Sequence, residues 1–262
     1  MKTTLATAAA VLIGLSAAAG CHSSAGQDTP GAAGAAASRP TFHATLQWER
    51  LNDGKHMARE NYAVLEDACK ASGKLVRGLA PDEVDKLDTG RVDIWQDARG
   101  AYGRQRTWDY VAEQRPDGSC VIRLEESVDD GSQSFRELDG AAMDIPPVDA
   151  TEVAEMAKLQ GFTRVGESQV KGQPCTRWRS DNQEVCSWSG GMAAGISNGP
   201  ADSPCAGELG PMAYLSPLPL QSRQGAQGLG CNLELVTMTV GKGLLPEVGR
   251  AMAELDAAGT GD

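Results

Sequence analysis

The residues with most chemistry to offer are the cysteines. Cys21 stands near the start, and Cys69, Cys120, Cys175, Cys186, Cys205 and Cys231 follow. No two are spaced Cys-x-x-Cys, which removes the usual zinc and thioredoxin-like arrangements. Six pairing thiols in an exported chain mean three structural disulfides made in an oxidising compartment. One pair can be argued from position: Cys175 and Cys186 flank Arg179-Ser180-Asp181-Asn182, and a hairpin centred between Ser180 and Asp181 sets them face to face. That register also opposes Arg177 to Glu184 and Trp178 to Gln183, and alternation puts Trp178 and Trp188 on different faces, one in the core and the other more exposed. In the competing arrangement either hairpin cysteine bonds Cys205 or Cys231 and pins a glycine-rich loop to the sheet.

Gly195-Ile196-Ser197-Asn198-Gly199 spells the Gly-x-Ser-x-Gly pattern of a hydrolase nucleophile elbow. An elbow needs a strand before it and a helix after it. Here Gly190-Gly191 precede and Pro200 follows, while His22, His43 and His56 all lie upstream of the serine. Each histidine reads as solvated, with no second metal ligand at a useful spacing. Glu125, Glu126, Asp129 and Asp130, and again Asp82, Glu83, Asp85 and Asp88, could attract calcium weakly, but neither run has the ligand spacing of a calcium loop, and both read as solvated turns. No cofactor, metal or catalytic residue is expected. Trp48, Trp95, Trp108, Trp178 and Trp188 stand out in a chain with only three Phe. They are either core filling or the lining of an apolar ligand groove.

The elements that must position these residues follow from pattern. Phe42, Ala44, Leu46 and Trp48 alternate with polar residues as a half-buried strand does, and Asn52-Asp53-Gly54 closes it as a turn. Met57 to Ala71 suits a helix better than a second strand. Asp88-Thr89-Gly90 leads into Val92, Ile94 and Trp95, and Pro116-Asp117-Gly118-Ser119 joins two extended stretches between Trp108 and Glu126, with Cys120, Ile122 and Leu124 on one face. Pro146-Pro147 breaks the chain before a helix from Thr151 to Leu159, capped by Asp149 and stopped by Gly161. Strands resume from Phe162 to Trp188. A stretch rich in Gly, Ala, Pro and Ser runs from Gly190 to Pro204, a last strand from Cys231 to Val240, and a terminal helix from Glu247 to Leu255.

Residues 1–20 read as a signal peptide: Lys2 is followed by uncharged residues around a short apolar centre at Val11, Leu12, Ile13 and Leu15. Ala18-Ala19-Gly20-Cys21 resembles the lipobox of bacterial lipoproteins, which implies cleavage before Cys21 and acylation, palmitate included, of that residue. Ala18 stands where such proteins prefer Leu, Val or Ile, so cleavage after Ala19 and simple secretion stay open. His22, where Asp would retain a lipoprotein in the inner membrane, implies the outer membrane. Residues 21–40 carry no large apolar side chain and form an Ala/Gly/Ser tether spanning on the order of 25 Å. Residues 41–255 then form one domain, and 256–262 a disordered tail. Without Lys2 the net charge of -11 becomes -12. That excludes nucleic acid, whose phosphates demand a basic face, and favours a basic partner.

The second half resembles the half-barrel lipoproteins of the LolA and LolB type. The resemblance rests on Phe162-Thr163-Arg164-Val165-Gly166, the segment from Val170 to Trp178, Leu218-Pro219-Leu220, and the strand ending before Leu245-Pro246, so it spans roughly residues 162–246. It implies an α+β fold in which a curved antiparallel sheet, a half-barrel, carries a few helices on its concave side, here stabilised by disulfides. Some such proteins hold acyl chains there. The extra cysteines and the Gly190–Pro204 insertion depart from the carriers. Two functions are therefore expected: a non-catalytic binding module for an envelope protein, an inhibitor or immunity protein included, or an apolar-ligand carrier with an acyl-chain cavity under the sheet. An enzyme ranks behind both.

Overall fold

Phe42, Ala44, Leu46 and Trp48 are all buried, so the strand Thr41–Asn52 (β1) has one face in the core and presents His43, Thr45 and Gln47 on the other. A strand with two such different faces belongs in the middle of a sheet. β1 pairs antiparallel with Thr89–Asp97 (β3) on one side and Leu229–Gly241 (β10) on the other. A computed structural model describes residues 39–259 except 74, 137–140, 202–204, 206–209 and 226–228. The signal segment, Cys21, His22, almost all of the tether and residues 260–262 lie outside the described residues.

The remaining elements are a helix at Met57–Ala71 (α1), a two-residue strand at Val76–Arg77 (β2), a single helical turn at Pro81–Val84 (α2) and the long strands Gly100–Gln114 (β4) and Cys120–Ser134 (β5). After them come Ala150–Leu159 (α3), Thr163–Val170 (β6), Gln173–Arg179 (β7), Gln183–Trp188 (β8), Pro219–Gln224 (β9), then β10 and the helix Pro246–Gly259 (α4). The strands form one curved, unclosed sheet in the order β2–β5–β4–β3–β1–β10–β9–β8–β7–β6. All neighbours are antiparallel except β2 on β5, so the α+β half-barrel carries one short parallel strand at its edge. α4 continues through Asp256 to Gly259, past the point where the sequence suggests a tail.

The glycine-rich insertion and the segment that follows it, up to Leu218, supply side chains to the apolar face. Ile196, Tyr214, Leu215 and Leu218 pack with Phe42, Leu46 and Trp188 in the main core. Two paired glycines admit the chain at Pro211–Tyr214: Gly103 lies opposite Gly131 across β4 and β5, and a Cβ on either would strike Pro211 or Met212 within 2.7 Å. In the same way Gly90 leaves room for the indole of its cross-strand neighbour Trp48. A satellite cluster on the other face joins Tyr62 of α1 to Leu87, Cys120 and Ile122, and another joins Ala157 of α3 to Phe162, Trp178 and Val185.

The six cysteines form three disulfides, Cys69–Cys120, Cys175–Cys186 and Cys205–Cys231. The first ties α1 to β5, the second closes the β7–β8 hairpin, and the third pins the insertion to β10. The hairpin register differs from the one expected. Cys175 lies opposite Trp188 and Cys186 opposite Arg177, so the turn centres between Asp181 and Asn182 and the disulfide runs diagonally with Cα atoms 5.4 Å apart. The cause is local: the Ser180 hydroxyl accepts the amides of Asn182 and Gln183, and the Ser180 amide donates to the Gln183 carbonyl, which makes Asp181-Asn182 the two central residues. Glu184 is thereby set beside both Arg177 and Arg179 and pairs with each. Trp178 and Trp188 do occupy opposite faces, but both are 2% exposed, because the core covers one face of the hairpin and the α3 cluster the other.

The first acidic run is a strand rather than a turn, whereas the second comprises α2 and the turn of residues 85–88 that follows it, with Asp82 and Asp85 exposed. Glu125, Glu126, Asp129 and Asp130 lie on β5. Glu83 accepts the Ala80 amide at the start of α2, and Asp88, with φ of 59°, turns its carboxylate to accept the Ala58 amide in the first turn of α1. Both carboxylates are engaged by orphan N–H groups at helix starts.

Candidate functional site

Alternation along β1, β3, β4 and β5 sends a second set of side chains to the face away from the core, and pairing aligns them in rows across the sheet. His43, Trp95 and Tyr102 form one row and Thr45, Asp93, Arg104 and Asp130 the next; Arg91, Arg106 and Val128 follow. α1 covers one end of this face, where Tyr62 meets Tyr110 edge to face at 5.8 Å. α4 covers the other end. Between the helices the sheet is open, and Trp108 stands on that open stretch next to Arg106.

Beneath α4 the face deepens into a cavity of about 760 Å³ lined by the first two rows apart from Thr45, by Arg91 and Arg106, and by Glu247, Arg250 and Glu254 of the helix. Its floor is aromatic. His43 stacks on Trp95 at 4.8 Å with planes 4° apart, and Trp95 on Tyr102 at 5.4 Å with planes 22° apart. These spacings match the separation of neighbouring strands, about 4.8 Å, so the rings stand upright side by side. The cavity meets their edges.

Around this floor the charges are cross-strapped. Asp93, 9% exposed, accepts hydrogen bonds from Thr45 Oγ1 at 2.5 Å and from Arg91 Nε and Nη2 at 3.1 and 3.3 Å. His43 Nε2 lies 3.6 Å from the same carboxylate, a contact longer than a hydrogen bond. Burial pushes the Asp93 carboxyl up, but the His43, Arg91 and Thr45 contacts outweigh it and hold the group far below the usual carboxylate range. One row along, Arg104 donates to Asp130 through Nε at 2.7 Å and Nη2 at 2.9 Å, while the Tyr102 hydroxyl donates to it at 3.0 Å. The guanidinium lowers the Asp130 carboxyl, and burial followed by that carboxylate raises the Tyr102 phenol.

A buried clasp holds α4 in place. Asp97, 0% exposed, accepts from Arg99 Nη2 at 2.7 Å and from the Leu245 amide at 2.8 Å, and the same Nη2 donates to the Leu245 carbonyl at 2.7 Å. Leu245 immediately precedes the helix, so this clasp fixes where α4 begins. Gly100 leaves the room for Met252, and Val248 and Ala251 are the helix residues that bury against the sheet.

Of the five tryptophans only Trp95 lines this cavity. Trp48, Trp178 and Trp188 are core residues, and Trp108 is half-buried on the open stretch. Trp48 also borders a second, smaller cavity of about 240 Å³ beside β9 and β10. The five therefore form no common groove. His43, which reads as merely solvated in the sequence, is part of the site. His56 sits apart from it, 3.5 Å from Glu49. Ser197 accepts the Gly199 amide at 3.0 Å within the insertion. Among the described residues no group of three or more His, Cys, Asp or Glu is arranged to hold a metal.

Sequence reasoning missed Thr45, Arg91, Asp93, Tyr102, Arg104, Arg106 and Arg250. Their signal was present as period two: Arg91-x-Asp93-x-Trp95 and Tyr102-x-Arg104-x-Arg106-x-Trp108 each put every member on one face of a strand.

No protein-family model matches this chain, and no curated protein matches it. Among solved structures it is similar to MucB, at 14% identity and a TM-score of 0.29, over 81% of this chain and 57% of that one. It is similar to MucB in complex with MucA(peri) at 14% identity and 0.30, over 79% and 53%, and to the Pseudomonas aeruginosa MucA/MucB complex at 13% identity and 0.29, over 80% and 55%. The chain thus spans little more than half the length of those structures. Overlap of that size does not establish a shared fold.

Proposed function

We propose that this chain is a periplasmic lipoprotein, anchored to the outer membrane through Cys21, that acts as a non-catalytic binding module for another envelope protein. The observation that carries this is the open stretch of sheet between α1 and α4. There Arg91, Arg106 and Trp108 stand on the inner strands β3 and β4, beside Val128, which is 54% exposed. Trp, Tyr and Arg are the residue types that dominate binding energy at protein interfaces, and strands hold them without the ordering cost that loops incur. A partner that this chain inhibits or neutralises fits the same description. Three disulfides accord with an oxidising compartment, and the lipobox-like run and tether accord with display just off a membrane.

The test is photocrosslinking in the intact envelope from residue 108, with the solvent-facing Val64 of α1 as the control position. A discrete crosslinked protein from 108 and none from 64 supports the proposal, and equal patterns from both sink it. Cys21→Ser, which removes the acylated residue, should abolish palmitate labelling and release the protein from membranes.

A further inference from the structure

β5 leaves most of one side unpaired. Along one side it pairs with β4 from Cys120 to Ser134 without a register shift. Along the other, β2 reaches only Cys120 and Val121, and from Ile122 onward no strand among the described residues takes up the outward amides and carbonyls. The far edge of the sheet is built differently, since β6 has eight residues and carries a bulge between Arg164 and Gly166. Short or bulged edge strands discourage pairing, whereas β5 has fifteen residues, an unbroken register and no proline. Every residue from Glu125 to Asp130 is exposed.

The two faces of this edge differ in charge. On the face that carries Trp108, Glu126 and Asp130 lie beside Arg106 and Arg104, so charge is balanced there, and Val128 stands between the two pairs. On the other face a single cation, Arg123, serves both Glu113 at 3.3 Å and Glu125 at 3.8 Å. Asp109, opposite Glu125, and Asp129 have no ion-pair partner among the described residues. That face is therefore net acidic.

From these observations, and resting on the proposed binding role of the adjoining open stretch, we infer that residues 123–129 of β5 receive an extended segment of the partner polypeptide, in which basic and apolar residues alternate, as an added strand of the sheet. Directly opposed residues share a face, so the side chains set against Glu125 and Asp129 are basic and those beside Val128 are apolar. Main-chain hydrogen bonds supply affinity in such a junction, and the alternation supplies specificity. Val128 belongs both to this edge and to the open stretch beside Trp108, so one partner covers the two without a break. A second copy of this chain is a poorer occupant. Antiparallel self-pairing centred on Ser127 opposes Glu125 to Asp129, and centred on Val128 it opposes Glu126 to Asp130. The net charge of -11 favours a basic partner in the same way.

The experiment is calorimetric titration of the exported protein with peptides of about nine residues, roughly 30 Å when extended. One alternates Lys with Val, one has the same composition with its lysines in a block, and one alternates Glu with Val. A fourth is the Lys–Val peptide N-methylated at every amide, which keeps the charge and removes the ladder donors. The Lys–Val peptide should bind at least about fivefold more tightly than the block and Glu peptides, and the methylated peptide should not bind. Glu125→Gln with Asp129→Asn should weaken the Lys–Val peptide by at least about fivefold. Both side chains are exposed, so an unchanged melting curve will show that the fold is intact. The same change of charge on α3, Glu152→Gln with Glu155→Gln, lies by β6 at the other end of the sheet and should leave affinity within about twofold, because salt screens distant charges. Equal binding of the alternating and block peptides, undiminished binding of the methylated one, preference for Glu, or indifference to the β5 variant overturns the inference. So does a dimer of the protein that the Lys–Val peptide fails to dissociate, which means that a second copy holds the edge. If the peptides fail while residue 108 still crosslinks a partner, only this inference falls.

Discussion

The two faces of the β1–β3–β4–β5 sheet are built from the same strands and differ in how they are closed. On the core face a long insertion, threaded over paired glycines, covers Phe42, Leu46 and Ile94, none of them more than 1% exposed. On the other face two helices cover the ends only, and charged and aromatic side chains are left standing between them. A side chain on the first face is held by packing and its loss is a stability effect. A side chain on the second is held by cross-strand hydrogen bonds and its loss is a recognition effect. Substitutions that separate stability from binding therefore test the division directly.

The largest effect is expected on the core face. Trp188, 2% exposed and packed against Phe42 at 5.3 Å, cannot be replaced without a large void. Trp188→Ala should cost about 3 to 5 kcal/mol, read as a shift in urea midpoint at unchanged slope. A loss below about 1 kcal/mol would mean that the insertion does not seal that face. Next comes the clasp. Asp97→Ala leaves Arg99 facing the start of α4 without its counter-ion, and because Arg99 keeps 27% of its side chain in solvent the cost should be about 2 to 3 kcal/mol rather than the full buried-pair value. The distinctive readout is local: amides of α4 should exchange faster than those of β1, since the helix loses its tie to the sheet.

The pH dependence is smaller and has a defined sign. Asp93 and Asp97 both titrate below the ordinary carboxylate range in the folded protein. In Asp97 burial is outweighed by hydrogen bonds from Arg99 and the Leu245 amide, in Asp93 by those of its own site. Below about pH 4 the unfolded chain binds protons that the folded chain refuses, so stability is full above that range and falls as pH drops through it. Asp93→Asn should flatten the stability curve between about pH 4 and pH 2 relative to the parent protein. An unchanged slope would show that the Thr45, Arg91 and His43 contacts do not favour the ionised form.

The core face was legible in the sequence because burial imposes period two on apolar residues: the alternation from Phe42 to Trp48 is enough by itself to identify β1 and its buried side. The Cys175–Cys186 pairing follows from hairpin symmetry, yet the turn displaces its register. The bonding of Ser180 to the two following amides moved the turn centre past the midpoint of the cysteines, a local preference that composition does not carry. The polar face was hardly legible. Its residues come from β1, β3, β4, β5 and α4, and what makes them a site is the alignment of His43 with Trp95 and Tyr102 across three strands. Spacing along the chain reveals which side of a strand a residue takes, and not which strand lies beside it. The same holds for Arg250, brought over the sheet only because Asp97 and Arg99 grip Leu245.

The smallest stability effect belongs to Trp108, and it is the sharpest test of the comparison. Trp108 and Trp188 are the same residue type in the same sheet, one half-buried on the open stretch and the other sealed. If closure is what separates the faces, Trp108→Ala should leave stability within about 0.5 to 1 kcal/mol of the parent, as expected for a surface position, because no void forms and water replaces the ring. Its effect should appear in recognition, where loss of a central aromatic anchor typically costs about 2 kcal/mol or more, some thirtyfold in affinity. Crosslinking from a neighbouring position such as residue 128 in the Trp108→Ala background reads that loss. Should Trp108→Ala prove as destabilising as Trp188→Ala, the open stretch is a second core region, and the binding surface has to be sought elsewhere on the sheet.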